Sequence, residues 1–490
     1  MSQLPIDCLN DIFECLEDDI FTLHSCMFVN RLWCNASVRI FWSNSCNYSI
    51  SSINTLVACL SNESKEILYN EGITNTTPTS TTFPIFNYAS FCKILSISHI
   101  YSKVEEFLNN QKMISSSNAF INNNAIIVVQ EMCKMFFNQI SSLKGLSLLE
   151  YESKPIPTFT LYPGAMDCLK NLKELRCNSY LSSEIFYQLS KICHNISLLY
   201  MDYYYPHFIS DGLADLISVQ KNLKHFIMIQ DYGVKNISSL ITKLPNTLIK
   251  LSLYDFNYMS LLFIAKFSNL QELELSFNYN GDFIDFEKLS HVRFLQLQIL
   301  KLRPALPSNE LLIRFLENNG KNLKALYIGE GSGDNNSLYL AIFKYCINLR
   351  KFSARFKINE LEMLKIVLKS CIYLKSIEVC CGGGLLSEKE ALEVIDKYSH
   401  ENISEIILYH QYYVQSKNLL PKELESFFIN WANSITRKSL SLVIVTNDYR
   451  KGSLDKNEEN MKIINKYIEL SVIKNFKVKD FGYENYFDYY

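Results

Sequence analysis

The chain has 490 residues, of which 48% are hydrophobic and 20% are charged, and its formal net charge is −2. This length predicts more than one domain, and the near-neutral balance without a basic stripe argues against a nucleic-acid-binding surface. The N-terminal residues Met-Ser-Gln-Leu-Pro lack the basic and apolar regions of a signal peptide. No run reaches the roughly 18 apolar residues of a membrane span. We therefore expect a cytoplasmic or nuclear chain that binds neither nucleic acid nor membranes.

The fifteen cysteines and eight histidines are scattered, without a C-x-x-C pair or a histidine-rich tract. Metal sites need clustered ligands at set spacing, and no Ser, Cys or Asp has the setting of a nucleophile. The glycines at 329–333 and 382–384 lack the full pattern of a phosphate-binding loop. The sequence therefore predicts no metal, no cofactor and no catalytic residue, which disfavours a hydrolase or transferase.

The stretch from residue 4 to residue 42 is predicted to form three short helices. Leu9, Ile12, Phe13 and Leu16 have the spacing of a one-sided helix, and Pro5 suits its first turn. Asp19 is the predicted N-cap of a second helix, and a third ends near Phe41 and Trp42. Because about forty residues make a poor core, this stretch either packs on the rest of the chain as an ordinary helical cap or offers an apolar face to a partner.

This stretch resembles the F-box: Leu4 and Pro5 begin the motif, Arg31 and Trp33 lie in its second half, and Trp42 closes it. In that family the segment docks on a Skp-type adaptor, which links it to a cullin–RING ubiquitin ligase. Asn30 departs from the family pattern, which usually has a charged residue at this position. The resemblance implies an adaptor-binding set composed of Leu4, Pro5, Ile6, Leu9, Ile12, Leu16, Leu23 and Val29.

Residues 44–141 are predicted to form a helical linker between this motif and the C-terminal two thirds of the chain. Apolar periodicity favours helices at Ile53–Tyr69, Tyr88–Leu108 and Ala125–Ile140, the last of them buried because it is apolar on most sides. Threonine-rich and serine-rich stretches between them are typical of loops.

From Leu143 onward the pattern L-x-x-L-x-L recurs, and successive copies begin 22 to 29 residues apart, except for 37 between the last two. This spacing is typical of a leucine-rich repeat. Each copy is a short strand followed by a helix, and only stacking with its neighbours buries its apolar face. The predicted copies begin at Leu143, Leu172, Ile196, Leu223, Leu248, Leu270, Leu297, Leu323, Leu349, Leu374, Ile403 and Leu440.

Three cysteines share one place in these copies. Cys193, Cys346 and Cys371 each stand three residues before the first apolar position of a copy. A recurrent placement of this kind predicts small core residues at the turn from helix to strand. The array resembles the cysteine-containing leucine-rich repeats that follow an F-box in many substrate receptors, and its composition is similar to that of fungal members.

Within each strand, the residues that alternate with the inward ones should face the concave side of the array, a surface that curved repeat arrays generally use for binding. Aromatic residues and arginine are the usual hot spots of protein interfaces. The predicted substrate-binding residues are Tyr200, Tyr254, Lys301, Arg303, Tyr327, Arg355 and Tyr409.

Together these observations predict an α/β chain: a three-helix F-box (1–43), a helical linker (44–141), a horseshoe-shaped solenoid of about twelve leucine-rich repeats (142–450), and a C-terminal cap and tail (451–490). The resemblance implies a non-enzymatic substrate receptor of a Skp–cullin–F-box ubiquitin ligase, whose repeats bind an unknown protein target. The alternative is a leucine-rich-repeat scaffold or inhibitor that acts outside a ligase.

Overall fold

The computed structural model describes residues 5–73, 84–111, 118–149, 154–178, 181–203, 210–230, 237–255, 259–330, 335–410, 419–434, 437–446 and 453–480. The chain divides into two compact units. Residues 1–227 and 234–245 form the first, and residues 228–233 and 246–490 form the second. No helix in the described ranges is both long enough and apolar enough to cross a membrane.

The N-terminal helices of the first unit are the three that the sequence predicts: α1 (Ile6–Glu14), α2 (Ile20–Cys26) and α3 (Arg31–Phe41). The side chain of Asp19 caps α2 by accepting a hydrogen bond from the Thr22 N–H at 3.0 Å. Asn30 caps α3 in the same way, because its Oδ1 accepts from the Trp33 N–H at 2.9 Å. An N-cap therefore occupies the position at which the chain departs from the F-box pattern.

The described residues of the linker contain four α-helices and also a strand. The helices are α4 (Ile50–Ala58), α5 (Asn62–Asn70), α6 (Ile97–Gln111) and α7 (Asn118–Gln139). The single helix predicted over Tyr88–Leu108 is wrong, since β1 (Ile94–Ser96) precedes α6 and pairs in parallel with Gly145–Ser147. A three-residue strand whose partner lies about fifty residues away leaves no local periodicity to detect.

Thirteen further strands follow in the described residues, and within each unit they pair in parallel with their neighbours in chain order. In the first unit they are β2 (Gly145–Leu148), β3 (Glu174–Asn178) and β4 (Leu198–Tyr203), and β5 (His225–Gln230) lies across the boundary between units. Those of the second unit are β6 (Lys250–Tyr254), β7 (Glu272–Ser276), β8 (Ile299–Ala305), β9 (Ala325–Glu330), β10 (Lys351–Ala354), β11 (Ser376–Cys381), β12 (Glu405–His410), β13 (Leu440–Thr446) and β14 (Ile473–Asp480).

Most strands are followed by a helix, as a strand–helix repeat requires. These helices are α8 (Ala165–Leu169), α9 (Ser183–Ile192), α10 (Asp211–Ser218), α11 (Ile237–Lys243), α12 (Phe286–Ser290), α13 (Asn309–Asn319), α14 (Asn336–Tyr345), α15 (Leu361–Ser370), α16 (Glu388–Tyr398), α17 (Pro421–Asn433) and α18 (Glu458–Glu469). Shorter 3-10 helices lie at Ser45–Asn47, Tyr88–Phe91, Phe159–Leu161, Leu261–Lys266, Asn280–Asp282, Gly320–Asn322, Ile358–Glu360 and Leu454–Lys456. The fold is α/β, a helical N-terminal region followed by leucine-rich repeats.

The strands β2 to β12 each begin two residues after the predicted first position of a copy, so the predicted repeat register is confirmed there. The predicted register of the last copy, which begins at Leu440, is wrong by one residue. Ser441 and Leu442 pair with Glu405 and Ile406, so Leu442 and Ile444 point inward rather than Val443 and Val445. An irregularity in the pairing of β13 with β14 at Leu440/Ser441 accompanies this shift.

The repeat cysteines are core residues, as predicted. Cys193, Cys346 and Cys371 are buried, and burial raises the pKa of Cys193 to about 12 and that of Cys371 to about 11. Gln220 takes the same position in another copy. Its amide donates to the carbonyl of Cys193 and accepts from the Ile196 N–H at 2.9 Å. Gln220 therefore ties its helix-to-strand turn to that of the preceding repeat.

Candidate protein-interaction surfaces

Residues 5–42 form a helical segment with a small core, here called the three-helix segment. Leu9 and Phe13 of α1 pack with Leu23 and Cys26 of α2 and with Ala36 of α3. Trp33 adds an edge-on contact to Phe13, with 5.2 Å between ring centroids. Because the helices have only 7 to 11 residues, each can place only a few side chains in this core.

The three-helix segment also exposes large apolar side chains. Ile6 and Ile12 on α1 and Val29 before α3 are about half exposed, while Phe21 is 88% and Phe28 77% exposed. Large exposed apolar side chains in one small segment are typical of interaction surfaces. This segment therefore offers apolar surface that a partner can cover.

The predicted adaptor-binding set divides into exposed and buried residues. Pro5, Ile6, Ile12 and Val29 are exposed, and Leu16 is half-buried against the core. Leu9 and Leu23 are 2% and 0% exposed, so their expected position at a surface is corrected: they form the core that orients the exposed residues. Leu4 lies outside the described residues.

Phe21 and Phe28 were not identified as exposed from the sequence, although the order of apolar residues in α2 indicates it for Phe21. Ile20 and Leu23 set the inward phase of α2, and Phe21 is adjacent to Ile20 and therefore out of that phase. Phe28 follows the end of α2 and contacts only the ring of His24 among the described aromatic pairs, at 5.1 Å between centroids. Both rings are exposed and add to the apolar surface of the three-helix segment.

A second candidate surface is the outer strand face, defined as the side of the strands opposite to the inward leucines. In β7 and β8, the inward residues Leu273, Leu275, Leu300 and Leu302 are fully buried. The alternate residues of these strands, together with those of β6 and β9 to β11, are mostly charged, polar or aromatic. We call these alternate residues of β6 to β11 the polar ladder; they lie in the second unit.

An ion-pair cluster occupies the β6–β8 part of this face. Glu272 contacts Lys250 at 3.1 Å and Lys301 at 3.2 Å. Lys301 also contacts Glu274 at 3.3 Å, and Ser252 donates to Glu274 at 3.1 Å. Two lysines and two glutamates thus balance one another across three strands.

These contacts change the titration of both partners. Burial raises the pKa of Glu272, but Lys301 and Lys250 lower it by more in sum, so the pKa lies below its ordinary value. Burial lowers the pKa of Lys301, but Glu274 and Glu272 more than compensate, so the pKa lies above its ordinary value. Both groups are therefore held in their charged forms.

A second cluster extends the ladder to β11. The Arg303 guanidinium reaches Glu378 at 3.2 Å, and Ser353 donates to the same carboxylate oxygen at 2.8 Å. The Arg303 guanidinium lies against the ring of Tyr327, 5.2 Å from the ring centroid, and Lys301 Nζ lies 5.8 Å from the same centroid. At the next outer position of β9, a side chain on Gly329 would collide with the Pro304 carbonyl, so glycine allows β8 to approach here.

The structure brings together Lys301, Arg303 and Tyr327 of the predicted substrate-binding set. Tyr254 is half-buried on β6, and Tyr200 belongs to the first unit, where its ring contacts Arg176. Arg303 and Arg355 are 9% and 7% exposed, so the expectation of two accessible arginines is corrected. The guanidinium of Arg303 is turned toward Glu378, and Arg355 interacts with Cys380.

Tyr409, also predicted to bind substrate, is buried in an apolar cluster at the C-terminal end of the outer strand face. Its neighbours there are Cys380, Leu385, Val443 and Val445. The accessible part of the polar ladder is therefore centred on Lys301, Tyr327 and Lys351, with the two arginines beneath it.

One buried pair of titratable side chains has no counterpart in the sequence analysis. His410 Nε2 lies 2.9 Å from Glu388 Oε1, and both side chains are fully buried. The same carboxylate oxygen accepts the Leu454 N–H at 3.0 Å. The pair therefore links β12, α16 and the segment that leads to α18. The described residues contain no group of three or more His, Cys, Asp or Glu side chains that would hold a metal ion.

No protein-family model matches the sequence, and neither does any curated protein. Solved structures with similar folds include the leucine-rich-repeat protein LegL7 from Legionella pneumophila (14% identity, 62% of this chain and 94% of that one, TM-score 0.36). A chain of the Rad7–Elc1 complex in yeast has 12% identity over 72% of this chain and 87% of that one, with a TM-score of 0.35. An internalin (inlF) from Listeria monocytogenes has 14% identity over 71% and 88%, with a TM-score of 0.29. These values are too low to transfer a function.

Proposed function

We propose that this chain is a non-catalytic substrate receptor of a cullin–RING ubiquitin ligase. In this proposal the three-helix segment docks on a Skp-type adaptor and the repeats bind a protein target in the cytoplasm or nucleus. The receptor contributes proximity, because it holds a target lysine near a conjugating enzyme that other subunits supply. The observation that carries the proposal is the exposed apolar surface of the three-helix segment, in a stretch that resembles an F-box.

The adaptor-binding half is supported by exposure and by chemistry. Ile6, Ile12 and Val29 belong to the set that the F-box resemblance implies, and all three are accessible. Covering apolar surface contributes about 25 cal/mol for each Å² removed from water. The exposed ring of Phe28 adds to the area available beside Val29.

The target-binding half is supported by the outer strand face. Lys301, Tyr327 and Lys351 lie on neighbouring strands β8, β9 and β10, where Lys351 presents a positive charge, Tyr327 an aromatic ring, and Lys301 is paired with Glu272 and Glu274. Aromatic and charged side chains at the centre of an interface commonly dominate its affinity. A protein target with an acidic group opposite Lys351 and an apolar group against Tyr327 would complement this face.

The decisive experiment is a pull-down of a Skp-type adaptor by the intact chain and by the Ile12→Asp/Val29→Asp variant. Both residues are exposed, so the variant should keep its fold, but two carboxylates buried at the interface should each cost a few kcal/mol. Leu9→Asp would be uninformative, since Leu9 is in the core of the segment. We expect the intact chain to bind and the variant to lose binding.

Leu161→Asp/Leu470→Asp is the matched control, because both leucines are exposed and lie outside the three-helix segment. It adds the same charge and should bind the adaptor normally. Failure of the intact chain to bind any Skp-type adaptor would contradict the proposal. The function that remains would then be a leucine-rich-repeat scaffold or inhibitor that acts outside a ligase.

A further inference from the structure

A groove runs along the edge of the second unit where strands β8 to β11 begin. Its cavity volume is about 400 Å³, and its lining includes three cations, Lys321, Lys324 and Arg350. In chain order, the lining residues begin with Leu295 and end with Tyr373. We call this feature the edge groove; it is separate from the outer strand face and from the three-helix segment.

The stacking of neighbouring repeats places these three cations close together. Lys324 and Arg350 each stand immediately before a strand, β9 and β10, and the Arg350 N–H donates to the Lys324 carbonyl at 2.8 Å. Adjacent parallel strands lie about 4.8 Å apart, so the two side chains leave the same edge side by side. Lys321 approaches from the turn that precedes β9.

The rim of the groove is held by two asparagines that occupy one repeat position. Asn322 Nδ2 donates to the Leu295 carbonyl at 3.3 Å, and Asn348 Nδ2 donates to the Lys321 carbonyl at 2.8 Å. Each amide joins the turn of one repeat to the turn before it. The backbone around the cations is therefore fixed in advance, which lowers the entropy cost of binding a ligand.

Among the described residues, the cations of the edge groove have no acidic partner, whereas most cations of the outer strand face have one. On the outer strand face, Lys250, Lys301 and Arg303 all contact glutamates. In the described parts of the chain, neither Lys321 nor Arg350 forms an ion pair, and Lys324 donates only to the neutral Gln298 side chain, at 2.8 Å. The groove therefore keeps three positive charges for a ligand.

We propose that the edge groove binds a short, extended, acidic segment of a protein partner. Three steps between strands β8 and β11 span about 15 Å, the length of four or five extended residues. The Arg350 guanidinium suits a carboxylate or a phosphate through two parallel hydrogen bonds, while the lysines act as point charges. The ring of Tyr373 offers an apolar contact at the end of the segment. This inference does not depend on a role in a ubiquitin ligase.

The test is fluorescence anisotropy with the purified full chain and three labelled hexapeptides. One is rich in glutamate, one carries a phosphoserine among neutral residues, and one is rich in glutamine. We expect saturable binding of the acidic probes that weakens as salt is added, and no binding of the glutamine probe. The ratio between the first two probes reports whether carboxylate or phosphate is preferred.

Lys324→Glu/Arg350→Glu should weaken the acidic probes by about tenfold or more. Lys173→Glu/Lys224→Glu is the matched control, because these lysines hold the position equivalent to that of Lys324 before other strands and the net charge changes equally. The control should bind like the parent chain.

Three outcomes would overturn the inference: no saturable binding of either acidic probe up to about 1 mM, equal weakening in the control, or a single-stranded oligonucleotide that binds more tightly than both peptides. None of them affects the adaptor experiment, which uses other residues and another partner.

Discussion

The three-helix segment and the repeat array differ in how completely they bury their apolar side chains. In the array, inward leucines such as Leu273 and Leu300 are fully buried between neighbouring repeats, and the charges of Lys301 and Arg303 on the outer strand face are matched by glutamates. In the three-helix segment, a small core coexists with exposed aromatic residues such as Phe28. The array therefore buries its apolar side chains within itself, whereas the three-helix segment leaves apolar surface that a partner can cover.

The largest expected effect tests this difference directly. Leu326→Ala on β9 removes a fully buried side chain and should lower the free energy of unfolding by about 2–5 kcal/mol. Ile12→Ala on α1 removes a half-exposed one and should change it by no more than about 0.5 kcal/mol. Urea denaturation followed by circular dichroism measures both. If Ile12→Ala lowered the free energy of unfolding as much as Leu326→Ala, Ile12 would have to be packed within the chain. The difference between the three-helix segment and the array would then not hold.

The repeat array was predictable because its signal is periodic. Eleven copies gave the correct strand register, from Leu143 to Ile403, since alternating inward residues recur at a fixed place in every repeat. The register of the last copy failed because Leu440, Leu442 and Ile444 alternate with Val443 and Val445, so either set resembles an inward row. The strand Ile94–Ser96 was missed because its pairing partner is distant in the chain.

The candidate sites were less predictable. The exposure of a side chain depends on residues that are distant in the sequence and become neighbours only in the fold. Arg303 and Arg355 were predicted as accessible on the basis of residue type and alternation, but contacts to Glu378 and Cys380 from another strand draw them inward. The edge groove was missed for the same reason. Lys324 and Arg350 are 26 residues apart in the sequence, and only the stacking of repeats makes them neighbours.

A smaller effect is expected at the helix caps. Asn30→Ala removes the side chain that caps α3 and should destabilise the three-helix segment by about 1 kcal/mol. Because the core there is small, hydrogen exchange of the α3 amides should accelerate about fivefold. Asn348→Ala, which also removes one hydrogen bond from an exposed asparagine to the backbone, is the control and should leave α3 exchange unchanged. Acceleration in both variants would mean that the segment and the array do not open separately.

The smallest effect concerns the matched charges of the outer strand face. The pKa of Glu272 lies below its ordinary value of 4.5, so its ion pairs stabilise the fold above that pH, and this contribution is lost as the pH falls through the folded-state value. At pH 7, Glu272→Gln should therefore lower the free energy of unfolding by about 1 kcal/mol or less, and urea denaturation should show this difference shrinking toward pH 3. Glu287→Gln, at an exposed glutamate on α12, should show no such dependence. A difference for Glu272→Gln that stays constant with pH would mean that its cost comes from packing rather than from charge.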